Sequence, residues 1–431
     1  MKIALVGYGI EGQASYRYFK GKYPEADLVI YDEASDVSYE VPEGVELING
    51  EDVLKDTIDA DVVVRTAGIP PRRIKTSGRV TSSTQEFFDA CPAPIVGVTG
   101  SKGKGTTASL IHEILKADGK TSWLVGNIGT PPLDILSQVS KGDVVVFELS
   151  SFQLWDMKRS PHVAVVLMIE PDHLEVHDGM EDYVDAKANI RRYQGENDIC
   201  FYYPDNKYSL RIAFADGAKG QAIRYGTPDE AGVYVESNTF SVQGQQICDI
   251  DNLQLPGDHN LGNACAAISA ARVFGVSNDA VAKGLSAFTG LPHRLKFVRE
   301  VGGIRYYDDS IATTPGSAIA ALRAFPEKKV IILGGSEKGA SYEELVSECS
   351  RQGATVVAIG TTGQTIAELC RAENVKVKEL GKAGMMEIVR AATELAGEGS
   401  VVILSPASAS FDMFKNYADR GEQFIAAVEA L

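Results

Sequence analysis

A glycine-rich loop between an apolar run and a helical pattern is the most informative feature of this sequence. The loop, GVTGSKGKGTT at residues 97–107, follows Ile95 and Val96, and a helical pattern covers residues 108–115. Glycines let backbone N–H groups approach phosphate oxygens, and the dipole of the following helix favours negative charge. Lys104 is placed to reach the β- and γ-phosphates. The spacing predicts a site for a nucleoside triphosphate; the alternative is an ordinary glycine-rich turn between a strand and a helix.

One position of this loop departs from the usual phosphate-binding pattern. Gly105 stands where a serine or threonine hydroxyl would hold Mg²⁺. Thr106 is the predicted substitute, and a metal held by residues elsewhere is the alternative. The residues of this loop that are predicted to bind ATP are Gly100, Ser101, Gly103, Lys104, Gly105 and Thr106.

A second glycine motif follows the first predicted strand. Gly7, Gly9 and Gly12 have the GxGxxG spacing, and Asp32 ends the second predicted strand twenty residues later. In a dinucleotide-binding fold the glycines admit a pyrophosphate and the aspartate accepts a hydrogen bond from a ribose hydroxyl. Nothing downstream resembles a site for hydride transfer, and the loop at Lys104 favours a nucleotide-linked substrate. An NAD-dependent oxidoreductase stays open as an alternative.

Length and composition restrict the class of protein. With 431 residues the chain can form two or three domains, each with its own core. Hydrophobic residues make up 44% and charged residues 23%, which is typical of a globular enzyme. The net charge of −16 argues against a nucleic-acid-binding surface, which needs a basic stripe. Six cysteines without CxxC spacing indicate neither a zinc site nor a disulfide framework.

Neither a membrane span nor a targeting segment is expected. No apolar run approaches the ~20 residues that cross a bilayer. The opening apolar run ends at Gly7, too soon for a signal peptide. We therefore expect a cytoplasmic protein that makes no membrane contact, and a monomer.

Apolar runs alternate with helical patterns along most of the chain, which predicts an α/β fold in three parts. Prolines at positions 92 and 94 indicate a linker, and a second boundary is expected near Leu291 and Pro292. The predicted domains are residues 1–90, 91–291 and 292–431. Residues 222–255 look like a small antiparallel β appendage of the central domain. The strand-like segments are 3–6, 28–31 and 62–64 in the first domain, 144–147, 163–168 and 199–203 in the second, and 329–333, 355–359 and 401–404 in the third.

Further motifs appear in a fixed order after the phosphate-binding loop. They are GNIG at 126–129, ELSSFQ at 148–153, PDHL at 171–174, Lys187, GDHNLGN at 257–263, LPHR at 291–294, Asp309-Ser310, Gly334-Gly335 and SPASAS at 405–410. Their order and spacing resemble the Mur ligases, most closely the members that add glutamate. The resemblance covers almost the full length.

This resemblance implies a fold and a reaction. The fold would comprise an N-terminal Rossmann-like domain that binds UDP, a central P-loop ATPase domain and a C-terminal Rossmann-like domain that delivers the amino acid. The reaction would be ATP-dependent amide formation, adding D-glutamate to UDP-N-acetylmuramoyl-L-alanine in peptidoglycan precursor synthesis. ATP would activate the alanyl carboxylate as an acyl phosphate, which the amine of glutamate then attacks.

The resemblance also assigns ligands to residues outside the phosphate-binding loop. UDP-substrate binding falls to Gly7, Gly9, Gly12, Asp32, Asn127, Ser150 and Gln153. ATP binding extends to Asn263, Arg294 and Asp309, and glutamate binding falls to Thr313, Lys338, Ser410 and Phe411. From residue type alone, Asn263 could be an N-terminal helix residue and Lys338 a solvent-facing loop charge.

Two Mg²⁺ sites are implied in the central domain. The expected ligands are Glu148, His173, Thr106 and Lys187, the last as a carbamylated lysine that supplies anionic oxygens. The predicted catalytic set consists of Lys104, Glu148, His173 and Lys187. Residue types alone would allow Glu148 to be a surface charge, His173 a satisfied polar residue and Lys187 a solvated helix-face lysine.

Three positions depart from the family pattern. Besides Gly105, Ile311 replaces a lysine two residues after Asp309, and Met168 replaces an asparagine before the Asp-His pair. Two alternatives follow: a variant that accepts L-glutamate, and a nucleotide-binding regulator without catalysis. Within the same class of ligase, a Mur ligase of another step is a further alternative. A folylpolyglutamate synthetase is less favoured, because that family lacks the first domain.

Overall fold

The apolar runs that are predicted as strands form the β-sheets of an α/β fold. The structure is a computed structural model that describes residues 1–35, 37, 39–127, 130–228, 231–255, 257–337 and 339–431. The chain divides into two units, one of Met1–Gln254 with Asp258–Phe288 and one of Leu255–Gly257 with Thr289–Leu431. We describe each unit by itself. The domain boundaries predicted at residues 90 and 291 stay predictions.

The first sheet of the first unit is parallel throughout and has the order β3-β2-β1-β4-β5. Because the order reverses at β1, the loop that follows β1 lies at a topological switch point, where ligands bind in such sheets. The glycine motif occupies this loop. The elements are β1 Lys2–Val6, α1 Ile10–Lys22, β2 Asp27–Asp32, β3 Glu46–Asn49, β4 Val62–Arg65, β5 Arg79–Ser82 and α2 Ser83–Ala90.

The second sheet is also parallel, with the order β11-β10-β9-β6-β8-β7. Every residue of β6, β8 and β9 is buried, as expected for strands covered on both faces. The strands are β6 Ile95–Thr99, β7 Ser122–Gly126, β8 Val144–Glu148, β9 Val163–Val166, β10 Ile199–Tyr202 and β11 Gln221–Arg224. The helices are α3 Lys104–Ala117, α4 Pro132–Ile135, α5 Ser151–Leu154, α6 Gly179–Arg192, α7 Lys207–Ala213, α8 His259–Arg272 and α9 Asn278–Ala287.

The predicted β appendage is confirmed for three antiparallel strands and wrong for its first segment. The three strands are β12 Tyr234–Glu236, β13 Thr239–Val242 and β14 Gln245–Asp249. Residues 222–224 belong instead to β11, which pairs with β10 in parallel. A short strand at a sheet edge is only partly buried, so its sequence carries no continuous apolar run to distinguish it. The strand predicted at 163–168 also ends earlier, at Val166.

Over its described residues, the second unit forms a sheet of the order β15-β16-β20-β17-β18-β19, in which the β15–β16 pair is antiparallel and the other pairs are parallel. The strands predicted at 329–333, 355–359 and 401–404 are confirmed. The strands are β15 Lys296–Val301, β16 Ile304–Asp308, β17 Lys329–Gly334, β18 Thr355–Ile359, β19 Val377–Gly381 and β20 Val401–Leu404. The helices are α10 Pro315–Arg323, α11 Glu343–Arg351, α12 Gly363–Ala372, α13 Met385–Leu395 and α14 Tyr417–Glu429.

A buried arginine ties the first sheet to the helix that follows β8. Arg65, at the end of β4, is fully buried and donates from Nε to Asp156 Oδ2 at 2.8 Å. Its Nη2 donates to the Phe152 carbonyl at 3.0 Å and also to Asp156 Oδ1. A buried charge needs partners of this kind, since an unpaired one would be costly. The two parallel sheets of the first unit are therefore linked close to the predicted substrate residues Ser150 and Gln153.

The state of the cysteines and the lengths of the helices relate to what the composition predicts about disulfides and membrane spans. All six cysteines are free, and four of them are buried in the cores. Within the described ranges, every helix is too short or too polar to cross a membrane.

Candidate active site

The glycine-rich loop connects β6 to α3, so the predicted strand–loop–helix arrangement is confirmed. Gly103 immediately precedes α3 and has a φ of +83°, a conformation that side chains rarely adopt. A Cβ at this position would overlap the Asn263 Oδ1 atom. The structure therefore brings Asn263, on α8, directly against the loop that is predicted to bind phosphate.

Two lysine amines converge on one carbonyl of this loop. Lys104 Nζ donates to the carbonyls of Gly100 and Ser101 at 3.0 and 2.9 Å. Lys187 Nζ donates to the same Gly100 carbonyl at 3.0 Å and to Thr99 Oγ1 at 3.3 Å. Burial, reinforced by the nearby charge of Lys104, holds the pKa of Lys187 well below its ordinary value. Lys187 is only 1% exposed, and this lowering of its pKa favours the uncharged amine.

Glu148 ends β8 and presents a carboxylate with one unsatisfied oxygen. The residue is 3% exposed, and its Oε1 accepts from Asn127 Nδ2 at 3.2 Å. Its Oε2 is buried and has no hydrogen-bond partner among the described residues. An unpartnered buried carboxylate oxygen is unfavourable, and a hard cation is the partner that such an oxygen suits. The residues present therefore fit a magnesium ion.

His173 lies in the turn after β9 with both ring nitrogens near carboxylates. Nε2 is 3.6 Å from Asp172 Oδ2 and Nδ1 is 3.6 Å from Glu175 Oε1, which is too long for a hydrogen bond. The side chain is 45% exposed and packs on Phe152, with ring centroids 4.9 Å apart. The imidazole can therefore still rotate a nitrogen toward a metal.

The four predicted magnesium ligands do not form a complete cage by themselves. Over the part of the chain that is described, no group of three His, Cys, Asp or Glu side chains could hold a metal. Mg²⁺ commonly takes one or two carboxylates and completes its shell with phosphate oxygens and water. Thr106 is half-buried in the first turn of α3 and stays the predicted substitute for the hydroxyl lacking at Gly105.

Glycine occupies the three positions of the first motif for different structural reasons. Gly7 has a φ of +84°, and a Cβ there would overlap Thr66 Oγ1. A Cβ on Gly12 would overlap the Gly7 carbonyl, whereas a Cβ on Gly9 would meet no atom within 4 Å. The first glycine thus permits the turn, the third permits close packing of α1, and the space beside Gly9 is open for a ligand.

Asp32 is engaged with its own surroundings. Its carboxylate accepts from the Tyr8 N–H at 2.9 Å, the Tyr39 hydroxyl at 2.8 Å and the Ala34 N–H at 3.0 Å. Burial and the bond to Asp32 raise the pKa of Tyr39, so its hydroxyl remains a donor. Sequence analysis missed both tyrosines, which line an open groove together with Gln13, Tyr16, Arg17, Glu40 and Pro42. The ribose contact predicted for Asp32 stays a prediction.

Ser150 and Gln153 cap the short helix α5. Ser150 Oγ accepts from the Gln153 N–H at 3.2 Å, and Gln153 Oε1 accepts from the Ser150 N–H at 3.0 Å. This reciprocal arrangement is a capping box. It gives both side chains a structural role beside the substrate contact that is predicted for them.

In the second unit, Asp309 is buried at the end of β16, beside Arg294. Its carboxylate accepts from the Leu295 N–H at 3.1 Å and from Ser405 Oγ at 2.7 Å. Burial nevertheless raises the pKa of Asp309 from 3.8 to about 7, against the lowering effect of these bonds and of the Arg294 charge. The ATP contacts predicted for Asp309 and Arg294 stay predictions.

Asp309→Asn is expected to change how stability depends on pH. The folded state binds the proton of the Asp309 carboxyl more tightly than the unfolded state does. The stabilisation from this proton is therefore complete below about pH 4 and is lost as the pH rises through about 7. The difference in unfolding free energy, wild type minus variant, should fall by up to about 4 kcal/mol between pH 4 and pH 8. Urea unfolding of both proteins at several pH values measures this difference. A difference that does not change with pH would contradict the raised pKa of Asp309.

The three described residues of the predicted glutamate set lie on loops at the carboxyl edge of this sheet. Ser410 is buried, Thr313 is half-buried and Phe411 is 70% exposed, while Lys338 lies outside the described residues. Sequence analysis missed Asp412, whose Oδ2 accepts from the Thr361 N–H at 2.8 Å and whose own N–H donates to Ser336 Oγ at 2.9 Å. These bonds join the loops after β17, β18 and β20.

The two other departures from the family pattern are placed differently. Met168 is partly exposed, and its carbonyl accepts from the Ser101 N–H at 3.0 Å. Ile311 is half-buried, and its N–H donates to the His293 carbonyl at 3.0 Å. Both residues thus contribute backbone contacts to segments that carry predicted ligands.

Two family profiles match the chain. The profile of the Mur ligase middle domain covers residues 98–271, and that of the Mur ligase glutamate ligase domain covers residues 293–408.

Two relatives that match along nearly their full length carry the same name. A protein of Acetivibrio thermocellus is 38% identical over 100% of this chain and 96% of its own length, and one of Clostridium kluyveri is 35% identical over 98% and 95%. Both are named UDP-N-acetylmuramoylalanine–D-glutamate ligase.

Solved structures of similar fold include two from Thermotoga maritima. The UDP-N-acetylmuramate-alanine ligase MurC has a TM-score of 0.61 at 18% identity, covering 100% of this chain and 99% of that one. The MurF ligase in complex with ADP has a TM-score of 0.56 at 18% identity, covering 99% and 94%.

Proposed function

Since the chain belongs to the Mur ligase family, we propose that it joins D-glutamate to UDP-N-acetylmuramoyl-L-alanine with conversion of ATP to ADP and phosphate. The observation that carries this is the identity of 38% along the whole chain with a ligase of that name. The product would be a peptidoglycan precursor. The resemblance found in the sequence is thereby confirmed at the level of the family.

The proposed chemistry begins with a carboxylate, which is a poor electrophile because it is negatively charged and resonance-stabilised. An alanyl carboxylate oxygen attacks the γ-phosphorus of ATP, and the bond to the bridging oxygen breaks to release ADP. The amine of D-glutamate then attacks the carbonyl carbon of the acyl phosphate. Loss of phosphate and of a proton from nitrogen leaves the amide.

Residues of the first unit match the demands of the first step. Lys104 lies at the phosphate-binding loop, where its ammonium would offset the charge that accumulates between carboxylate and phosphate. Glu148, His173, Thr106 and carbamylated Lys187 would hold Mg²⁺, which supplies Lewis-acid stabilisation of phosphate oxygens when bound. Asn263 is within reach of the same loop and would bind the adenine of ATP.

Carbamylation of Lys187 is part of this proposal. The amine would attack CO₂ to form a carbamate with release of one proton, and only an uncharged amine can do so. Burial and the charge of Lys104 lower the pKa of Lys187, which favours the uncharged form. The modification would place an anionic carbamate near the Lys104 ammonium and add oxygen ligands beside Glu148.

The remaining binding roles follow the family. The loop of Gly7, Gly9 and Gly12 would hold the UDP part, and Asn127, which bonds to Glu148 Oε1, would contact the muramoyl part. Thr313, Lys338, Ser410 and Phe411 would bind glutamate. We infer a monomer in the cytoplasm, where ATP and nucleotide-linked precursors are found, and no nucleic-acid partner.

A phosphate-release assay tests this function. Purified protein receives ATP, Mg²⁺ and UDP-N-acetylmuramoyl-L-alanine, with D-glutamate, L-glutamate or no amino acid. Release that requires D-glutamate is the expected outcome, because the named relatives are D-glutamate ligases. Release only with L-glutamate would make Ile311 the mark of a stereochemical variant. No release under any condition would favour the nucleotide-binding regulator.

A further inference from the structure

An aromatic cluster encloses the imidazole of His177, to which sequence analysis assigned no role. The side chain is fully buried. Its ring centroid is 4.1 Å from that of Trp155 and 5.2 Å from that of Tyr183. Phe152 stacks on it at 5.3 Å, with the ring planes 6° apart. Packing alone would suit any flat ring at this position, so its polar contacts decide what a histidine adds.

Both ring nitrogens of His177 have hydrogen-bond partners. Nδ1 lies 2.9 Å from Asp182 Oδ2, and Nε2 lies 2.9 Å from Ser151 Oγ. The Asp182 carboxylate also accepts from Trp155 Nε1 and from the Asp178 N–H, each at 3.0 Å. Burial raises the pKa of Asp182, but the bonds from His177, Asp178 and Trp155 outweigh it and the net shift is downward.

The tautomer of this imidazole follows from the acid next to it. The ionised carboxylate of Asp182 only accepts hydrogen bonds, so Nδ1 of His177 carries a proton. Burial lowers the pKa of His177 against the raising effect of Asp182, which favours the neutral ring. Nε2 then accepts from the Ser151 hydroxyl. The imidazole thus joins a donor contact and an acceptor contact that phenylalanine cannot make.

His177 and its two partners, Ser151 and Asp182, lie on three segments that carry predicted magnesium ligands. Ser151 begins α5, three residues after Glu148. Asp182 lies on α6, five residues before Lys187. The imidazole itself belongs to the turn that starts at His173. One buried ring therefore connects the backbone segments of all three ligands.

The turn that contains His173 needs such support. His173 has a φ of +55°, which is unfavourable for a residue with a side chain. Its carbonyl accepts from the N–H groups of Val176 and His177 at 3.1 and 2.9 Å. Arg72 closes the turn from outside, donating from Nη2 to the Val176 carbonyl at 2.6 Å while it lies over the Trp155 ring.

We propose that His177 is a positioning residue for the magnesium site, which holds the segments of His173, Glu148 and Lys187 in register through its bonds to Asp182 and Ser151. This inference rests on the proposed function only for the presence of a divalent ion at these ligands. It does not depend on which amino acid is added.

The variant His177→Phe keeps the stacked ring and removes both hydrogen bonds. His162→Phe is the matched control, because His162 Nδ1 also lies 2.9 Å from an aspartate oxygen, Oδ1 of Asp198, before the first residue of β9. The probe is Mn²⁺ in the presence of ADP, with binding followed by electron paramagnetic resonance. His177→Phe should weaken Mn²⁺ binding by about 10- to 100-fold, the range known for residues that orient metal ligands. The control should stay within about 2-fold of wild type.

Two further readouts separate positioning from a general loss of structure. In metal-free protein, hydrogen exchange at the amides of residues 176–178 should accelerate in His177→Phe and not in the control. In the ligase assay the Mg²⁺ requirement should rise while the KM for D-glutamate, whose predicted site is in the second unit, stays unchanged.

The outcomes separate this inference from the proposed function. Equal Mn²⁺ binding and equal exchange in His177→Phe and His162→Phe would overturn the inference even if the wild type is an active ligase. A wild type without ligase activity would overturn the proposed function, while the binding and exchange data still test the inference. If His177→Phe does not fold, Ser151→Ala replaces it, with an expected loss of about 3- to 10-fold for one removed bond.

Discussion

Glu148→Gln is expected to lower the rate of phosphate release about 1,000-fold. The wild-type carboxylate has one oxygen bonded to Asn127 and one buried oxygen without a partner among the described residues, which is the arrangement that a hard cation satisfies. Glutamine keeps the shape and the contact with Asn127, but a neutral amide binds Mg²⁺ far more weakly. Loss of about 4 kcal/mol of charge stabilisation in the transition state corresponds to this rate.

The same substitution should leave the metal-free protein at least as stable as wild type. An amide costs less to bury than an unpaired carboxylate, so the midpoint of thermal unfolding should not fall. Glu113→Gln is the control, because Glu113 lies on α3 and pairs with Lys116 at 3.1 Å on the protein surface. Surface pairs contribute little, and its activity should stay within about 2-fold. Full activity of Glu148→Gln would contradict the proposal that Glu148 binds the metal.

The parts of the fold that could be predicted are those whose signal is local. The run Val144–Phe147 predicts a strand, because a strand covered on both faces must be apolar throughout. The loop at Lys104 reads as a phosphate site because glycine, lysine and a following helix all lie within one short segment. The strand Gln221–Arg224 could not be placed in its sheet, because pairing with β10 depends on where the chain returns in space.

The parts of the site that could not be predicted depend on partners distant in sequence. Asp32 accepts from the N–H of Tyr8, which precedes it by 24 residues, and His177 bonds to Ser151, which precedes it by 26 residues. A histidine four residues after His173 shows nothing in its local pattern that separates a buried positioning residue from a surface side chain. The glutamate assignments, and those of Asn263, Arg294 and Asp309 to ATP, came from resemblance for the same reason. No local rule distinguishes Asp309 from another strand-end aspartate.

Lys187→Met is expected to reduce ligation by about 100- to 1,000-fold. Methionine is similar in length and keeps the packing on Tyr183, whose ring centroid is 4.7 Å from Lys187 Nζ. It cannot form a carbamate, so the proposed anionic ligand beside Glu148 would be lost. Stability should hold or rise, because methionine buries no polar nitrogen at this fully enclosed position. Lys116→Met, on the exposed face of α3, is the control and should retain activity within about 2-fold.

Carbon-13 NMR separates a carbamate ligand from a structural amine at Lys187. Wild type equilibrated with ¹³CO₂ should show a carbamate resonance that is absent in Lys187→Met and present in Lys116→Met. The wild-type signal is expected because burial and the charge of Lys104 depress the pKa of Lys187 and so favour the uncharged amine that reacts with CO₂. Loss of activity in Lys187→Met with no carbamate resonance in the wild type would contradict carbamylation. Lys187 would then act through its bonds to Thr99 and Gly100, which shape the phosphate-binding loop.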